Sequence, residues 1–202
     1  MPLVCPDLAA FLIVQMETLG ELAGTLGKDS EGRTWRDKSA RMLKALIHEL
    51  WREDTFIARR THDSKEVACQ SLLPCVPILL GERLPEGIRS TLRCRIGTFL
   101  TNYGLATEHP DSPAYTPDGY WREPIWAPST YIILCGLRAC GYENTANTLA
   151  ERFCTLCRAS GFAENFNALT GESLRDPAYS WTSSVFLLCA QMLNKEKAGH
   201  EP

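Results

Sequence analysis

The feature that most constrains the fold is a succession of helical runs, separated in turn by short turns and by long loops. In the first run, apolar residues recur with the 3.6-residue period of one helix face; they are Leu8, Phe11, Leu12, Leu19, Leu22, Ala23 and Leu26. A second run follows directly after the short turn 28–30, and two amphipathic helices with a tight connection predict a helical hairpin. No strand–helix–strand alternation breaks this order, so the sequence predicts an all-α protein.

Capping and breaking residues indicate where the helices begin and end. Asp7 is expected to cap the first helix, and Gly27 to stop it just after Leu26. Asn144 or Thr145 is expected to cap a later helix that ends at Gly161. The second helix, which follows the turn 28–30, is predicted to reach Leu50, and further helices are predicted over residues 72–80, 86–100 and 129–140, and after residue 181. Residues 51–67 are the only candidate for strand, and the tail 195–202 is expected to fray.

Length and charge exclude several classes of protein. A chain of 202 residues favours one domain, residues 1–202, with a sizeable core. A formal net charge of −3 without a basic run offers no electrostatic case for nucleic acid or an anionic membrane surface. The longest apolar run is far shorter than the ~20 residues that span a bilayer. No charged segment precedes an apolar stretch at the start, so we expect a soluble, cytoplasmic protein.

The cysteines and histidines indicate no metal site. Nine cysteines, an odd number, fall mostly in apolar helical runs, as is typical of reduced thiols in a core. The pair Cys154-x-x-Cys157 lies within a predicted helix and lacks the second ligand pair of a zinc site. The four histidines are scattered. We therefore expect neither a metal nor a cofactor.

Two polar, aromatic loops stand out between residues 118 and 181. The first contains YWREPIW (residues 120–126) and must be a loop, because Pro124 and Pro128 cannot lie inside a helix. The second contains Glu164 and leads to Trp181. Aromatic walls with a few placed polar groups are typical of a small-molecule site, and flat rings stack on sugars. In the alternative interpretation these aromatics only anchor loops in a helical core.

The same segments resemble those of the (α/α)6-barrel glycoside hydrolases. YWREPIW (120–126), ENFNALTG (164–171) and SWT (180–182) match, in order, three motifs of family 63 and of the bacterial mannosylglycerate-hydrolase-like group. The trehalases of family 37 are more distantly similar. The segment 7–12 is similar to the start of a helix in the middle of these barrels. The resemblance therefore implies a partial (α/α)6 toroid of antiparallel helix hairpins, with about seven helices.

The resemblance also implies roles for particular residues. Members of these families generally hydrolyse a glycosidic bond with inversion, using a carboxylic acid and a carboxylate roughly 6.5–9.5 Å apart. Glu164 matches the general base, and the substrate that the resemblance implies is an α-linked glucoside or mannoside. The residues that match the sugar-binding positions are Tyr120, Trp121, Arg122, Trp126, Asn165 and Trp181. Asn165 and Asn167 either position Glu164 or satisfy the loop backbone.

Two departures from the family pattern matter. Glu123 stands where the family has a Gly after Trp-Arg, so we expect it to strain the loop or to intrude beside the site. The family's acid, in an Asp-Ser-Gly segment upstream of the match to 7–12, is missing, and Asp7 is an unpromising stand-in. We therefore expect an inactive isolated chain that self-associates or pairs with a chain carrying the earlier hairpins. The alternative is a non-catalytic helical module that binds carbohydrate or serves as an interaction surface.

Overall fold

Six α-helices and one long 3₁₀ helix make up the computed structural model, which describes residues 2–67 and 69–198. The helices are α1 (Pro6–Thr25), α2 (Asp29–Leu50), the 3₁₀ helix (Leu73–Arg83), α3 (Glu86–Thr98), α4 (Ala127–Ala139), α5 (Glu143–Ser160) and α6 (Ser180–Ala198). The predicted all-α class is confirmed. The tail expected to fray from Lys195 is helical as far as Ala198, and residues 199–202 lie outside the described part.

The helices form two rows. In the inner row α1 packs on the 3₁₀ helix, the 3₁₀ helix on α4, and α4 on α6. The outer helices α2, α3 and α5 each pack on the inner helix that precedes them. Short turns join each inner helix to its outer partner, whereas long connections lead from each outer helix to the next inner one. Consequently the three long connections gather at one end of the rows, and the hairpins form part of a toroid.

The first helix begins earlier than expected. Its N-cap is Cys5, with Pro6 in the first turn, and no side chain bonds the free backbone amides there. Proline is well suited to a first helical position because its missing N–H would have no partner. The expectation that Asp7 is the N-cap is therefore wrong, since Asp7 lies inside the first turn. Gly27, with φ of 69°, follows the last turn as expected.

The later helix α5 shows the same difference at its start. Its N-cap is Tyr142, so the expectation of a cap at Asn144 or Thr145 is wrong, because both residues are already helical. The helix ends where expected, at Gly161, whose φ of 79° would be costly for a residue with a side chain. Cys154 and Cys157 are both buried along this helix.

Most of the short strands lie within the long connections between helices. β2 (Trp51–Arg52) pairs with β3 (Thr55–Phe56), and β4 (Ala58–Arg60) pairs with both β1 (Leu3–Val4) and β5 (Glu66–Val67). β6 (Asn165–Phe166) pairs with β7 (Ser173–Leu174), Asn165 facing Leu174. All the pairs are antiparallel. The expectation that only 51–67 contains strand is therefore wrong, because β1, β6 and β7 form through pairings that short-range pattern does not show.

The helix α4 packs closely on the 3₁₀ helix. Ile133, Leu134 and Leu137 are fully buried, as expected for a helix that is apolar nearly all round. Gly136 permits the close approach, since a Cβ there would lie 2.6 Å from Cγ2 of Ile78. Within residues 2–67 and 69–198, no helix has the length and apolar character needed to cross a membrane.

Candidate active site

Two long connections form the candidate site, and backbone pairing holds them together. The connection between α3 and α4 contains YWREPIW, and the connection between α5 and α6 contains Glu164. Ile125 and Phe166 exchange two backbone hydrogen bonds, of 2.7 and 3.1 Å. Motifs about 40 residues apart in sequence are thereby placed side by side, next to the first turns of two inner helices.

The aromatic residues of both motifs form one cluster around Trp126. The Trp126 ring is fully buried and lies parallel to Trp121, with centroids 4.2 Å apart. Tyr120 and Trp181 meet the Trp126 ring edge-on at 4.9 and 5.5 Å, and Tyr179 packs on Trp181 at 4.4 Å. Trp126 is thus a buried loop anchor, whereas Trp121 and Tyr120 keep 50% and 45% of their surface exposed.

The Glu164 carboxylate lies at the edge of this cluster. Its Oε1 is 3.5 Å from the Tyr120 hydroxyl, and the residue is half-buried. The Trp181 indole N–H donates to the Glu164 backbone carbonyl at 3.1 Å, and the Glu164 N–H donates to the carbonyl of Asp176 at 2.7 Å. In the described part of the chain Glu164 forms no ion pair. The carboxylate is therefore held by its backbone and remains available to a water molecule.

Tyr120 is held in an uncommon conformation. Its φ of 60° lies in the left-handed region, and its carbonyl accepts a 2.9 Å hydrogen bond from the Trp126 indole. The guanidinium of Arg175 lies 5.8 Å from the Tyr120 ring and pairs with Asp118 at 2.5 Å. The sequence reasoning missed Arg175, because a lone arginine in a polar loop resembles any solvated one.

The remaining expected binding residues differ in exposure. Arg122 is exposed. Asn165 is fully buried, and neither polar atom of its amide has a hydrogen-bond partner in the described chain. Asn167 accepts hydrogen bonds of 2.9 Å from the amides of Leu169 and Thr170, so its side chain satisfies the loop backbone, one of the two roles expected for it.

Glu123 neither strains the loop nor intrudes beside the site. It is fully buried, and its carboxylate accepts hydrogen bonds from the Tyr115 hydroxyl at 2.7 Å and from the amides of Asp118 and Ala168 at 3.0 and 2.9 Å. Positive φ values fall instead on Asp118 and Tyr120. Burial and the hydrogen bond to Glu123 raise the pKa of Tyr115, so its hydroxyl keeps the proton that it donates.

An apolar hollow of about 260 Å³ adjoins the cluster. Trp121 lines it together with side chains of three inner helices, among them Phe11, Val76 and Ile132. A larger cleft of about 530 Å³ lies against the outer helix α3, lined by residues that include Arg95 and His109, and it contains none of the candidate site residues. We place the candidate site at the Trp121 side, because the exposed rings of Tyr120 and Trp121 lie there with the Glu164 carboxylate beside Tyr120.

Sequence comparison with known proteins indicates the same group of glycoside hydrolases as the motifs do. Residues 2–182 match the model of the mannosylglycerate hydrolase MGH1-like glycoside hydrolase domain. A mannosylglycerate hydrolase of Rubrobacter radiotolerans is 40% identical over 180 residues, which cover 84% of this chain and 39% of that protein. The glucosylglycerate hydrolase of Mycolicibacterium hassiacum is 30% identical over 86 residues, covering 42% of this chain and 19% of that protein.

Solved structures share the fold. A family 63 mannosylglycerate hydrolase of Thermus thermophilus, in complex with Tris and D-glycerate, superposes with a TM-score of 0.83 at 23% identity, covering 93% of this chain and 46% of that one. The neutral trehalase of Saccharomyces cerevisiae gives 0.79 at 16% identity, covering 96% and 38%. At these identities the likeness establishes the (α/α)6 architecture alone.

The chain spans less than half the length of each of these relatives and solved neighbours. The sequence matches are to hydrolases, and they do not favour the alternative of a non-catalytic module. Since the family model covers nearly all of the described chain, the protein belongs to the mannosylglycerate hydrolase MGH1-like glycoside hydrolases.

Proposed function

We propose that this chain provides the general-base half of an inverting glycoside hydrolase site, in which Glu164 deprotonates the attacking water. The observation that carries the proposal is the position of Glu164: a half-buried carboxylate beside exposed aromatic rings, free of any ion pair in the described chain. A general base must be ionised and within reach of a water molecule. The Tyr120 hydroxyl, 3.5 Å from Oε1, orients that carboxylate toward the aromatic face.

The exposed rings bind the sugar in this proposal. The exposed faces of Tyr120 and Trp121 stack on a pyranose ring, and the exposed guanidinium of Arg122 bonds its hydroxyls. Trp126 and Trp181 support those rings from behind. Asn165, being fully buried, acts through the loop that carries Glu164. The substrate class is an α-linked mannoside or glucoside, in line with the names of the relatives in sequence.

The acid that protonates the leaving oxygen comes, by the family resemblance, from an Asp-Ser-Gly segment that this chain does not contain. We propose that a polypeptide carrying the earlier hairpins of such a barrel packs against the two ends of the inner row. Both ends expose large apolar side chains, with Leu8 and Phe11 on α1 and Leu187 and Leu188 on α6. Burial of such surfaces favours association, at roughly 25 cal/mol per Å².

Glycosyl fluorides test the base directly, because fluoride leaves with little help from an acid. We expect the chain to hydrolyse α-mannosyl or α-glucosyl fluoride slowly and to release the β-anomer, as observed by proton NMR. Glu164→Gln should lower this rate by about 10²–10⁴-fold. The matched control is Glu172→Gln, which alters an exposed carboxylate of the same connection and should leave the rate unchanged. Equal rates in wild type and Glu164→Gln would refute the assignment.

Association is tested separately. Light scattering coupled to size exclusion should show self-association of the chain alone. Adding the upstream half of the Rubrobacter radiotolerans enzyme should give a one-to-one complex. A chain that stays monomeric and forms no complex with the added half would exclude this partner.

A further inference from the structure

Glu123 has no part in the proposed chemistry, yet it is a buried carboxylate next to the candidate site. Its carboxylate is fully buried and forms no ion pair within the described chain. A buried charge without a cation is costly unless several donors surround it. Three donors do so here: Oε1 accepts from the Tyr115 hydroxyl and the Ala168 amide, and Oε2 accepts from the Asp118 amide.

These donors belong to the two connections that form the site. Asp118 precedes Tyr120 by two residues, and Ala168 follows Glu164 by four. The carboxylate of Glu123 therefore joins the segment that carries Tyr120 to the segment that carries Glu164. A second link runs in parallel, since Arg175 pairs with the Asp118 carboxylate and donates to its carbonyl at 3.2 Å.

We propose that Glu123 is a positioning residue: its carboxylate, which accepts hydrogen bonds from three donors, sets the placement of Tyr120 relative to Glu164. This inference rests on the proposed function, for which the Glu164 carboxylate is the base. The residue does not touch substrate in this arrangement, because it has no exposed surface. Its effect passes through the backbone, from Asp118 to Tyr120 on one side and from Ala168 back to Glu164 on the other.

Glutamine is an informative replacement, although it has the same shape. A carboxylate offers acceptors on both oxygens, whereas an amide offers one acceptor and one donor. In one orientation the new NH₂ group faces the Asp118 N–H, and in the other it faces the Ala168 N–H. Either way a backbone donor loses its partner in a buried site, and one connection must shift. Glu123→Ala removes both acceptor oxygens and with them all three hydrogen bonds.

Two indole N–H groups report the shift without any substrate. The Trp126 N–H bonds the carbonyl of Tyr120, and the Trp181 N–H bonds the carbonyl of Glu164. We expect Glu123→Gln to move both indole proton resonances in the NMR spectrum of the full chain. Ser39→Ala is the control: Ser39 is buried between α1 and α2 and bonds the Ile13 carbonyl, so its loss destabilises the fold away from the site.

The result that would overturn the proposal is a Glu123→Gln variant that unfolds at lower temperature, as Ser39→Ala does, yet leaves both indole resonances unmoved. Glu123 would then be structural only. Loss of folding in Glu123→Ala does not affect this comparison, which uses the isosteric variant. Tyr115→Phe removes a single donor and should produce a smaller shift of the same kind.

Saccharide binding tests whether the hydrogen bonds of Glu123 matter for the candidate site. If wild type binds an α-mannoside or α-glucoside, Glu123→Gln should raise the dissociation constant about tenfold in isothermal titration calorimetry, and unchanged affinity would contradict the proposal. If wild type binds none, the proposed function fails, while the resonance shifts still show whether Glu123 positions the two connections. The two failures are thus distinguishable.

Discussion

Gly171, the last residue of ENFNALTG, closes the turn after Glu164 and offers a sharp test of the site's geometry. Its φ is 73°, and its amide donates to the Asn167 carbonyl at 2.9 Å. A Cβ at this position would lie against the Tyr103 ring, 2.7 Å from Cε1 and closer still to Cδ1. Gly171→Ala therefore meets two penalties, one from the left-handed backbone and one from the clash with the ring.

Gly141 separates the two penalties. Its φ of 76° is nearly the same, but a Cβ there meets no atom within 4 Å. Left-handed strain costs about 1–2 kcal/mol in either variant. The ring contact adds about 1–3 kcal/mol at Gly171, as for other overpacking changes. For a chain of this size 1 kcal/mol corresponds to about 2–4 °C. Gly171→Ala should therefore melt about 2–12 °C below Gly141→Ala.

The assay is thermal unfolding followed by far-ultraviolet circular dichroism, for each variant alone and in a Tyr103→Ala background. In that background the Gly171→Ala penalty should fall to that of Gly141→Ala, because the obstructing ring is gone. Equal melting temperatures for the two single variants would refute the close approach of Tyr103. A Gly171→Ala penalty that persists without the ring would refute the reasoning as well.

Two further expectations concern the aromatic cluster and the buried thiols. Trp121→Ala should lower stability by up to about 1.5 kcal/mol through the lost stacking on Trp126, in addition to the loss of its buried apolar surface, while calorimetry shows saccharide affinity reduced about tenfold; unchanged affinity would remove Trp121 from the site. Burial raises the thiol pKa from 9.0 to about 12 for Cys75 and Cys157 and to about 11 for Cys140. The unfolded state therefore loses these protons first as the pH rises, so the stabilising contribution of the three thiols to the free energy of unfolding by urea should be complete up to about pH 9 and be lost from there toward pH 12; a flat profile between pH 9 and pH 12 would contradict the burial.

Local rules predicted those features whose causes are local. The helical runs follow from apolar periodicity, and the stops at Gly27 and Gly161 follow from the freedom of glycine at positive φ. Helix starts were less predictable. Pro6 begins α1 before the expected cap, and the cap of α5 is Tyr142, which no capping preference indicates.

In the candidate site, too, some features follow from the local sequence and others only from the fold. The motif order in the sequence pointed to Glu164 and its tryptophans, and the assignment of catalytic and binding roles to them stays a prediction. Which of these rings is buried and which is exposed was not readable from the chain. Trp121 and Trp126 belong to one motif, yet only the packing of the two connections distinguishes an exposed platform from a buried anchor.

The all-α class, the hairpin order and the two segments of the candidate site could be predicted from the sequence, because periodicity, proline and glycine act over a few residues. Only the folded chain shows where the Glu123 carboxylate lies and what it contacts. Its neighbours in sequence suggested strain or intrusion, but its hydrogen-bond donors Tyr115 and Ala168 come from eight residues before and 45 residues after it. A carboxylate is stable inside a protein only where such donors converge, and convergence is a property of the folded chain.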